Sequence, residues 1–282
     1  MPSKLESPKR RFFGRIKKVQ NETIMGKITF QNSKGINLVG NLFKANSDAI
    51  VIMAHGFTSD RSSNGRFDKM ADALKKDGYN VLFFDFSGCG ESDDAVLSAE
   101  NELDDLLSAI QFVKSQGLKR IALLGYSLGS LICLRAFSDD VSTIILFGAL
   151  TGPMNYNWEN YHSISQLSDL KRKGQFAIKV KSKWRKEVVI CQQTLLDFEQ
   201  IDQNKLLSRV TCPVLIIHGN SKDDDEELQL LENSKAGMRY LPDDSKLEVI
   251  EGANHGFQEQ YEQVIDLARK WFAKYFKLEE YD

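Results

Sequence analysis

The chain has 282 residues, of which 42% are hydrophobic and 27% charged, and its formal net charge is −2 at pH 7. This length predicts one large domain with residues left over for a tail and an insertion, and the near-balanced charge leads us to expect no nucleic-acid partner. No apolar run approaches the ~20 residues of a membrane-spanning helix. The scattered cysteines favour free thiols, a reducing compartment and a cytoplasmic location; they are Cys89, Cys133, Cys191 and Cys212.

The first residues, 1–25, form a basic tail whose composition differs from that of the rest of the chain. Lysines and arginines in this tail are interspersed with Phe12 and Phe13. The tail is not succeeded by the apolar segment or the small-residue cleavage site of a secretory signal. We interpret the tail as a solvated or loosely docked terminus, and contact with an anionic membrane surface is the less favoured alternative.

From Gly26 onward the apolar pattern becomes regular. Two alternating stretches around the turn residues 32–35 predict a β-hairpin. Short apolar runs then alternate with stretches of helical spacing. The predicted strands are 27–30, 36–43, 49–54, 80–85, 121–125 and 142–147, and the predicted helices are 67–76, 103–113 and 128–137. This alternation predicts an α/β fold with a mostly parallel sheet and helices on both faces.

The alternation breaks at residues 151–208, which we interpret as a lid inserted after the sixth predicted strand. Strand-like pieces at 175–180 and 187–191 precede a predicted helix at 192–199. The alternation then returns, with strands at 213–219 and 246–250 and helices at 226–234 and 260–276. The predicted organisation is a basic tail at 1–25, a core at 26–150 and 209–282, and a lid at 151–208.

The lid is rich in aromatic residues among many charges. We expect four of them to contact substrate, namely Trp158, Tyr161, Phe176 and Trp184. Their aromatic character favours an apolar or aromatic acyl or alcohol group in the substrate.

A Gly-x-Ser-x-Gly pattern lies between a predicted strand and a predicted helix, at Gly125, Tyr126, Ser127, Leu128 and Gly129. A sharp strand-to-helix turn leaves no room for side chains at the two glycines and lifts the serine hydroxyl clear of the sheet. The N-terminus of the following helix directs N–H groups at negative charge that develops nearby. Ser127 is therefore the predicted nucleophile.

A serine nucleophile needs a base, and the chain offers four histidines: His55, His162, His218 and His255. Loops that leave the carboxyl ends of parallel strands meet at one edge of the sheet. Because His255 lies just beyond the last predicted strand, in the loop 251–257, we expect it to meet Ser127 at that edge and predict that it is the base.

The acid that orients this histidine is expected after the preceding strand, in the acidic run 223–227. Asp223 comes soonest after the strand end and is the predicted acid. Asp224 and Asp225 stay open as alternatives, because the same run also suits the N-terminus of a helix.

The oxyanion of an acyl-transfer intermediate needs two N–H donors. Leu128, immediately after the nucleophile, supplies one. The loop after the third predicted strand begins with His55 and Gly56, and its Phe57 N–H is the predicted second donor.

These motifs together resemble those of the α/β-hydrolase superfamily, and most closely its branch of cinnamoyl/feruloyl esterases and related carboxylesterases. The stretches that carry the resemblance are 55–58, 85–92, 125–129, 213–219 and 252–257. The resemblance implies an α/β-hydrolase fold and a Ser–Asp–His serine hydrolase with a lid and without a metal or organic cofactor. The chain departs from the branch at Ser87, where an arginine is usual, at one extra residue between Gly219 and the first aspartate, and throughout the lid.

We therefore expect a carboxylesterase that cleaves a small-molecule ester through an acyl-enzyme. Monoacylglycerol or lysophospholipid hydrolysis is an alternative of the same chemistry, and an amidase or peptidase shares the triad. A non-catalytic binding protein on the same fold is a further alternative. Dehalogenase chemistry is disfavoured, because the elbow carries serine rather than aspartate.

Overall fold

A computed structural model of the chain describes residues 25–279. The predicted basic tail lies outside the described residues, apart from Met25. Within the described range, no helix combines the length and the apolar character needed to cross a membrane.

An eight-stranded sheet forms the centre of the molecule. Its strands are β1 (Met25–Gln31), β2 (Asn37–Phe43), β3 (Ala49–Ala54), β4 (Asn80–Phe84), β6 (Arg120–Tyr126), β7 (Val141–Phe147), β10 (Val214–Gly219) and β11 (Lys246–Ile250). They lie side by side in the order β1-β2-β4-β3-β6-β7-β10-β11. The pairs from β4 to β11 are parallel, and only the N-terminal hairpin is antiparallel to its neighbours. The predicted, mostly parallel α/β sheet is confirmed.

Helices cover both faces of the sheet. They are α1 (Arg66–Lys76), α2 (Ala99–Ser115), α3 (Leu128–Arg135), α4 (Ile164–Lys173), α5 (Gln192–Glu199), α6 (Gln203–Leu207), α7 (Asp225–Gly237) and α8 (Tyr261–Tyr275). The apolar side chains of α1 and α8 pack on one face, and those of α2, α3 and α7 pack on the other. Because β3 is buried along its whole length, its continuous apolar sequence follows from having helices on both sides.

The predicted lid residues form a second, three-stranded sheet with the core. This sheet joins β5 (Val96–Leu97) of the core to β9 (Glu187–Cys191) and β8 (Gln175–Lys179). The Asp197 carboxylate accepts a hydrogen bond from the N–H of Ala99 at 2.7 Å, which ties α5 to the start of α2. The segment is therefore joined to the core by strand pairing as well as by side chains.

Candidate active site

The turn from β6 to α3 holds Ser127 in a strained conformation, with φ 53° and ψ −122°. A Cβ atom on Gly129 would lie 2.1 Å from the carbonyl oxygen of Ala54, and one on Gly125 would lie 2.6 Å from Cα of Ser130. Only glycine fits at these two approaches, so the Gly-x-Ser-x-Gly spacing produces a nucleophile elbow. The elbow presents the hydroxyl of Ser127 to a cavity at the carboxyl edge of the sheet.

His255 lies directly opposite this hydroxyl, in the loop after β11. Its Nε2 atom is 3.1 Å from Oγ of Ser127, within hydrogen-bond reach. The backbone of His255 is fixed from two sides. Its N–H donates to Oδ2 of Asp224 at 2.7 Å, and its carbonyl accepts from the hydroxyl of Tyr126 at 3.2 Å.

The acid that contacts His255 is Glu227, in the first turn of α7. The Nδ1–H of His255 donates to Oε2 of Glu227 at 2.7 Å. Oε1 accepts from Nδ1–H of His218 and from the N–H of Gly219, both at 2.8 Å. The carboxylate is fully buried and has three donors, as a buried charge requires.

The prediction that Asp223 is the acid is therefore wrong. The side chain of Asp223 is exposed, and its N–H faces the hydroxyl of Ser221 in the turn that leads to α7. Asp224, one of the open alternatives, caps α7 by accepting from the N–H of Glu227 at 3.0 Å and holds only the backbone of His255. The other alternative, Asp225, is exposed.

The hydrogen bonds of Glu227 shift the pKa values of both Glu227 and His255. Burial by itself raises the pKa of Glu227, but the hydrogen bonds from His218 and His255 outweigh it and lower the pKa to about 2. Burial likewise lowers the pKa of His255, and the bond to Glu227 together with its negative charge outweighs this and raises the pKa above its usual 6.5. Because ionised Glu227 accepts from Nδ1–H, neutral His255 leaves Nε2 free to accept a proton from the serine.

His218, at the end of β10, is a functional residue that the sequence did not identify. It is fully buried, with Nδ1–H toward Glu227 and Nε2 2.8 Å from the hydroxyl of Ser234. The hydroxyl of Ser234 is in turn 2.8 Å from that of Thr151. This chain of hydrogen bonds fixes the carboxylate from behind and so holds it in the orientation that His255 requires.

The two segments that carry the predicted oxyanion donors adjoin the nucleophile: Leu128 follows Ser127 in the chain, and a Cβ atom on Gly56 would lie 3.1 Å from Cβ of Ser127. The carbonyl of Gly56 accepts from Nδ1–H of His55 at 2.9 Å and from the N–H of Ser59 at 3.2 Å. Since N–H and C=O point in opposite directions across a trans peptide, the Phe57 N–H faces away from these donors. Within residues 25–279, neither this N–H nor that of Leu128 donates to a protein acceptor.

The ring of His55 supports this loop from beneath. It is fully buried, and its Nε2 accepts from the N–H of Phe86 at 3.2 Å. His55 is therefore the neutral tautomer with its proton on Nδ1, and burial lowers its pKa. It is a supporting residue that shapes the loop and takes no part in proton transfer with Ser127.

A cavity of about 400 Å³ lies above Ser127, and its lining is mostly polar. Part of the wall comes from the end of β8 and the residues after it, and part from the loop after β3. The charged lining residues are Asp60, Arg66, Lys179, Lys181 and Glu226. Among the described histidines, cysteines and carboxylates, no group of three or more is arranged to hold a metal ion.

The four lid aromatics are not among the residues that line this cavity, so their predicted contact with substrate stays a prediction. The indole N–H of Trp158 donates to Glu199 at 2.6 Å, and its ring packs against Tyr161. Phe176 is buried against His162. Trp184 lies under the guanidinium of Arg61, 4.0 Å from the ring centre. These rings hold the lid together and attach it to the core.

Comparisons with known proteins identify the family of this chain. A protein-family model described as Hydrolase_4, serine aminopeptidase S33, matches residues 45–206. Thiohydrolase apmlB of Arthrinium phaeospermum is 29% identical over 140 residues, which cover 47% of this chain and 45% of that protein. A protein described as an uncharacterized 31.7 kDa protein in the traX-finO intergenic region of Escherichia coli is 26% identical over 286 residues, covering 86% of this chain and 97% of that protein.

Solved structures show the same architecture. The α/β hydrolase GrgF from Penicillium sp. sh18 aligns with a TM-score of 0.72 at 18% identity, covering 89% of this chain and 99% of that one. Est1E from Butyrivibrio proteoclasticus, solved with ferulic acid, aligns with a TM-score of 0.69 at 20% identity, covering 88% of this chain and 99% of that one. The predicted α/β-hydrolase fold is confirmed.

Proposed function

Since the chain belongs to the serine aminopeptidase S33 family of α/β-hydrolases, we propose that it hydrolyses carboxylic esters through an acyl-enzyme on Ser127. The observation that carries the proposal is the unbroken contact from Ser127 through His255 to Glu227. A nucleophile, a base and an orienting carboxylate in this order are the requirements for acyl transfer.

In the first half of the reaction, Oγ of Ser127 attacks the ester carbonyl while Nε2 of His255 takes the hydroxyl proton. Glu227 stabilises the imidazolium that forms and does not itself take the proton. The N–H groups of Phe57 and Leu128 bind the oxyanion. The tetrahedral intermediate then collapses, and the proton on Nε2 passes to the departing alcohol oxygen.

In the second half, the acyl group on Ser127 is released to water. Nε2 of His255, neutral again, takes a proton from a water molecule as its oxygen attacks the acyl carbonyl. The same two N–H groups bind the second oxyanion. Collapse breaks the bond to Oγ, which regains its proton from His255, and the carboxylic acid leaves.

The lining of the cavity favours small polar esters over the hydroxycinnamate esters of the feruloyl type. Phe57 and Tyr126 are the aromatic residues that line it among those described, and the lid aromatics pack elsewhere. A bulky aromatic acyl group would therefore face charged side chains rather than an apolar wall.

Aminopeptidase activity is the second candidate. It is favoured by the description of the matching family and by two carboxylates in the cavity wall, Asp60 and Glu226, which suit the ammonium group of a peptide N-terminus. Amide hydrolysis uses the same serine and histidine and differs in the leaving group.

A fluorophosphonate probe and a matched pair of substrates test the proposal. We expect the wild type to be labelled and to hydrolyse p-nitrophenyl acetate much faster than alanine p-nitroanilide. Ser127→Ala should abolish labelling and turnover, whereas Ser208→Ala, at an exposed serine that ends α6 outside the cavity, should change neither. Labelling that survives in Ser127→Ala would contradict the assignment of the nucleophile, and faster anilide cleavage would favour the aminopeptidase.

A further inference from the structure

Three cations in the wall of the catalytic cavity have no carboxylate partner. Arg66, Lys179 and Lys181 all line the space above Ser127. Within residues 25–279, none of the three forms a salt bridge. Cations that are grouped in a cleft and not paired with carboxylates attract and bind an anionic ligand.

Arg66 is the most constrained of these cations. Its guanidinium lies 4.6 Å from the ring centre of Tyr126 and donates to the carbonyl of Gly256 at 3.1 Å. These two neighbours adjoin Ser127 and His255 in sequence, so the positive charge is fixed beside both catalytic side chains. The buried Nε of Arg66 has no hydrogen-bond partner among the described residues.

The lysines face the same space from the lid. Lys179 is the last residue of β8, Lys181 follows two positions later, and both residues line the cavity. Both are exposed, which leaves their long side chains free to move onto a bound ligand.

The cavity also contains two carboxylates, and both already accept hydrogen bonds from protein groups. Asp60 accepts from the hydroxyl of Ser182 at 2.7 Å and from the N–H of Ser62 at 3.0 Å. Glu226 accepts from the hydroxyl of Tyr156 at 2.7 Å. The cavity wall therefore carries three cationic side chains and two carboxylates, which gives it a net charge of about +1 before substrate binds.

We propose that the substrate is an anionic ester, in which a carboxylate several bonds from the scissile ester binds to Arg66, Lys179 and Lys181. The inference rests on the proposed ester hydrolysis and names its substrate class. It departs from the apolar or aromatic substrate that the lid sequence predicted, because the groups that line the cavity are cationic and the lid aromatics pack elsewhere.

Three ethyl esters of equal chain length test the inference: mono-ethyl adipate, ethyl hexanoate and ethyl 6-aminohexanoate. They end in a carboxylate, a methyl and an ammonium group, and pH-stat titration at pH 8 follows all three. We expect the wild-type kcat/KM for mono-ethyl adipate to exceed that for ethyl hexanoate about tenfold, since partly exposed ion pairs contribute a few-fold each. The preference should shrink in 1 M NaCl, where charges are screened within about 3 Å.

The variant Lys179→Met/Lys181→Met should lower the ratio of adipate to hexanoate kcat/KM to within a few-fold of one. Lys171→Met, at an exposed lysine of α4 outside the cavity, should leave the ratio unchanged. Equal wild-type rates for the anionic and neutral esters, or a preference for the ammonium ester, would overturn the inference and leave ester hydrolysis standing. Failure to hydrolyse any of the three esters would contradict the proposed function and the inference together.

Discussion

The substitution Glu227→Gln tests most directly whether Glu227 is the acid of this active site. The substitution keeps the volume of the side chain but replaces two acceptor oxygens by one oxygen and one NH₂ group. The oxygen site next to His218 and Gly219 has two donors, both at 2.8 Å, whereas the site next to His255 has one. The amide oxygen should therefore occupy the first site, and its NH₂ group should face His255.

This arrangement reverses the tautomer of the base. An NH₂ group opposite Nδ1 of His255 forces that nitrogen to accept, so the proton of the neutral ring moves to Nε2. Nε2 then donates toward Ser127 and cannot take its proton. The carboxylate that stabilises the imidazolium is lost in the same step.

The size of the effect follows from this chemistry. Replacing a triad carboxylate by its amide lowers kcat by about 10⁴ in a serine protease through the same wrong tautomer. At ~1.36 kcal/mol for each factor of ten, this is a loss of about 5.4 kcal/mol of transition-state stabilisation. Asp223→Asn, at the exposed aspartate first in the acidic run, is the matched control and should retain kcat within about twofold.

Steady-state hydrolysis of p-nitrophenyl acetate at pH 8.5 measures both variants, and circular dichroism and thermal unfolding establish that each is folded. A folded Glu227→Gln protein that keeps more than a tenth of wild-type kcat would refute the role given to Glu227. A hundredfold loss in Asp223→Asn would refute it equally, because it would place the acid in the loop.

Three further predictions concern the groups around the triad. The kcat/KM should rise with pH to a plateau with a midpoint above 6.5, because catalysis needs neutral His255 and its pKa is raised; a midpoint at or below 6.5 would be inconsistent with the carboxylate contact. His218→Leu removes a donor from the buried carboxylate, so urea denaturation should show about 1–3 kcal/mol lower stability, and an unchanged urea midpoint would count against this network. In Gly129→Ala the added Cβ would lie 2.1 Å from the carbonyl oxygen of Ala54, so the substitution should displace the elbow and lower kcat at least ~100-fold. Gly26→Ala is the control, because a Cβ there has open space, and its kcat should be unchanged. Normal turnover by Gly129→Ala would refute the steric argument.

The parallel sheet and the positions of Ser127 and His255 were predictable because they depend on local patterns. Continuous apolar runs identify strands buried on both faces, and the carboxyl ends of parallel strands meet at one edge. A residue that directly follows such a strand therefore has a restricted position. Ser127 satisfies this condition, and His255, in the loop after the edge strand β11, leaves the same edge of the sheet; the structure places the two side chains 3.1 Å apart.

The acid was not predictable by the same rule, because it lies in a helix rather than directly after a strand. The sequence still contains a signal for it. Glu227 lies on the face of α7 that also carries Leu230, Leu231 and Ser234, and all four are buried. A charged residue on an apolar helix face needs a buried partner, and His218 in the adjacent strand supplies a second polar group facing it.

The lid was harder to predict because its aromatic residues have two equally good uses. Large rings at a small insertion stabilise it by packing, or they contact substrate, and composition does not separate these roles. Helix α4 was missed although Ser163 and Gln166 form a capping box and Gly174 ends the helix. The two short strands β5 and β9 pair across a long separation in sequence, which no local pattern reports.

Placing the acid on α7 makes the catalytic geometry depend on how that helix packs against the sheet. A loop aspartate could adjust its position, whereas the Glu227 side chain leaves a helix whose first turn is capped by Asp224 and whose buried face bonds to β10 through His218. Asp224 also binds the backbone N–H of His255, so one residue fixes both the start of the helix and the loop of the base. Because Asp224 and Glu227 both belong to the start of α7 and both bind His255, a displacement of α7 changes the position of the acid relative to the base. Catalytic alignment should therefore be lost in any variant that loosens the helix, before the sheet itself unfolds.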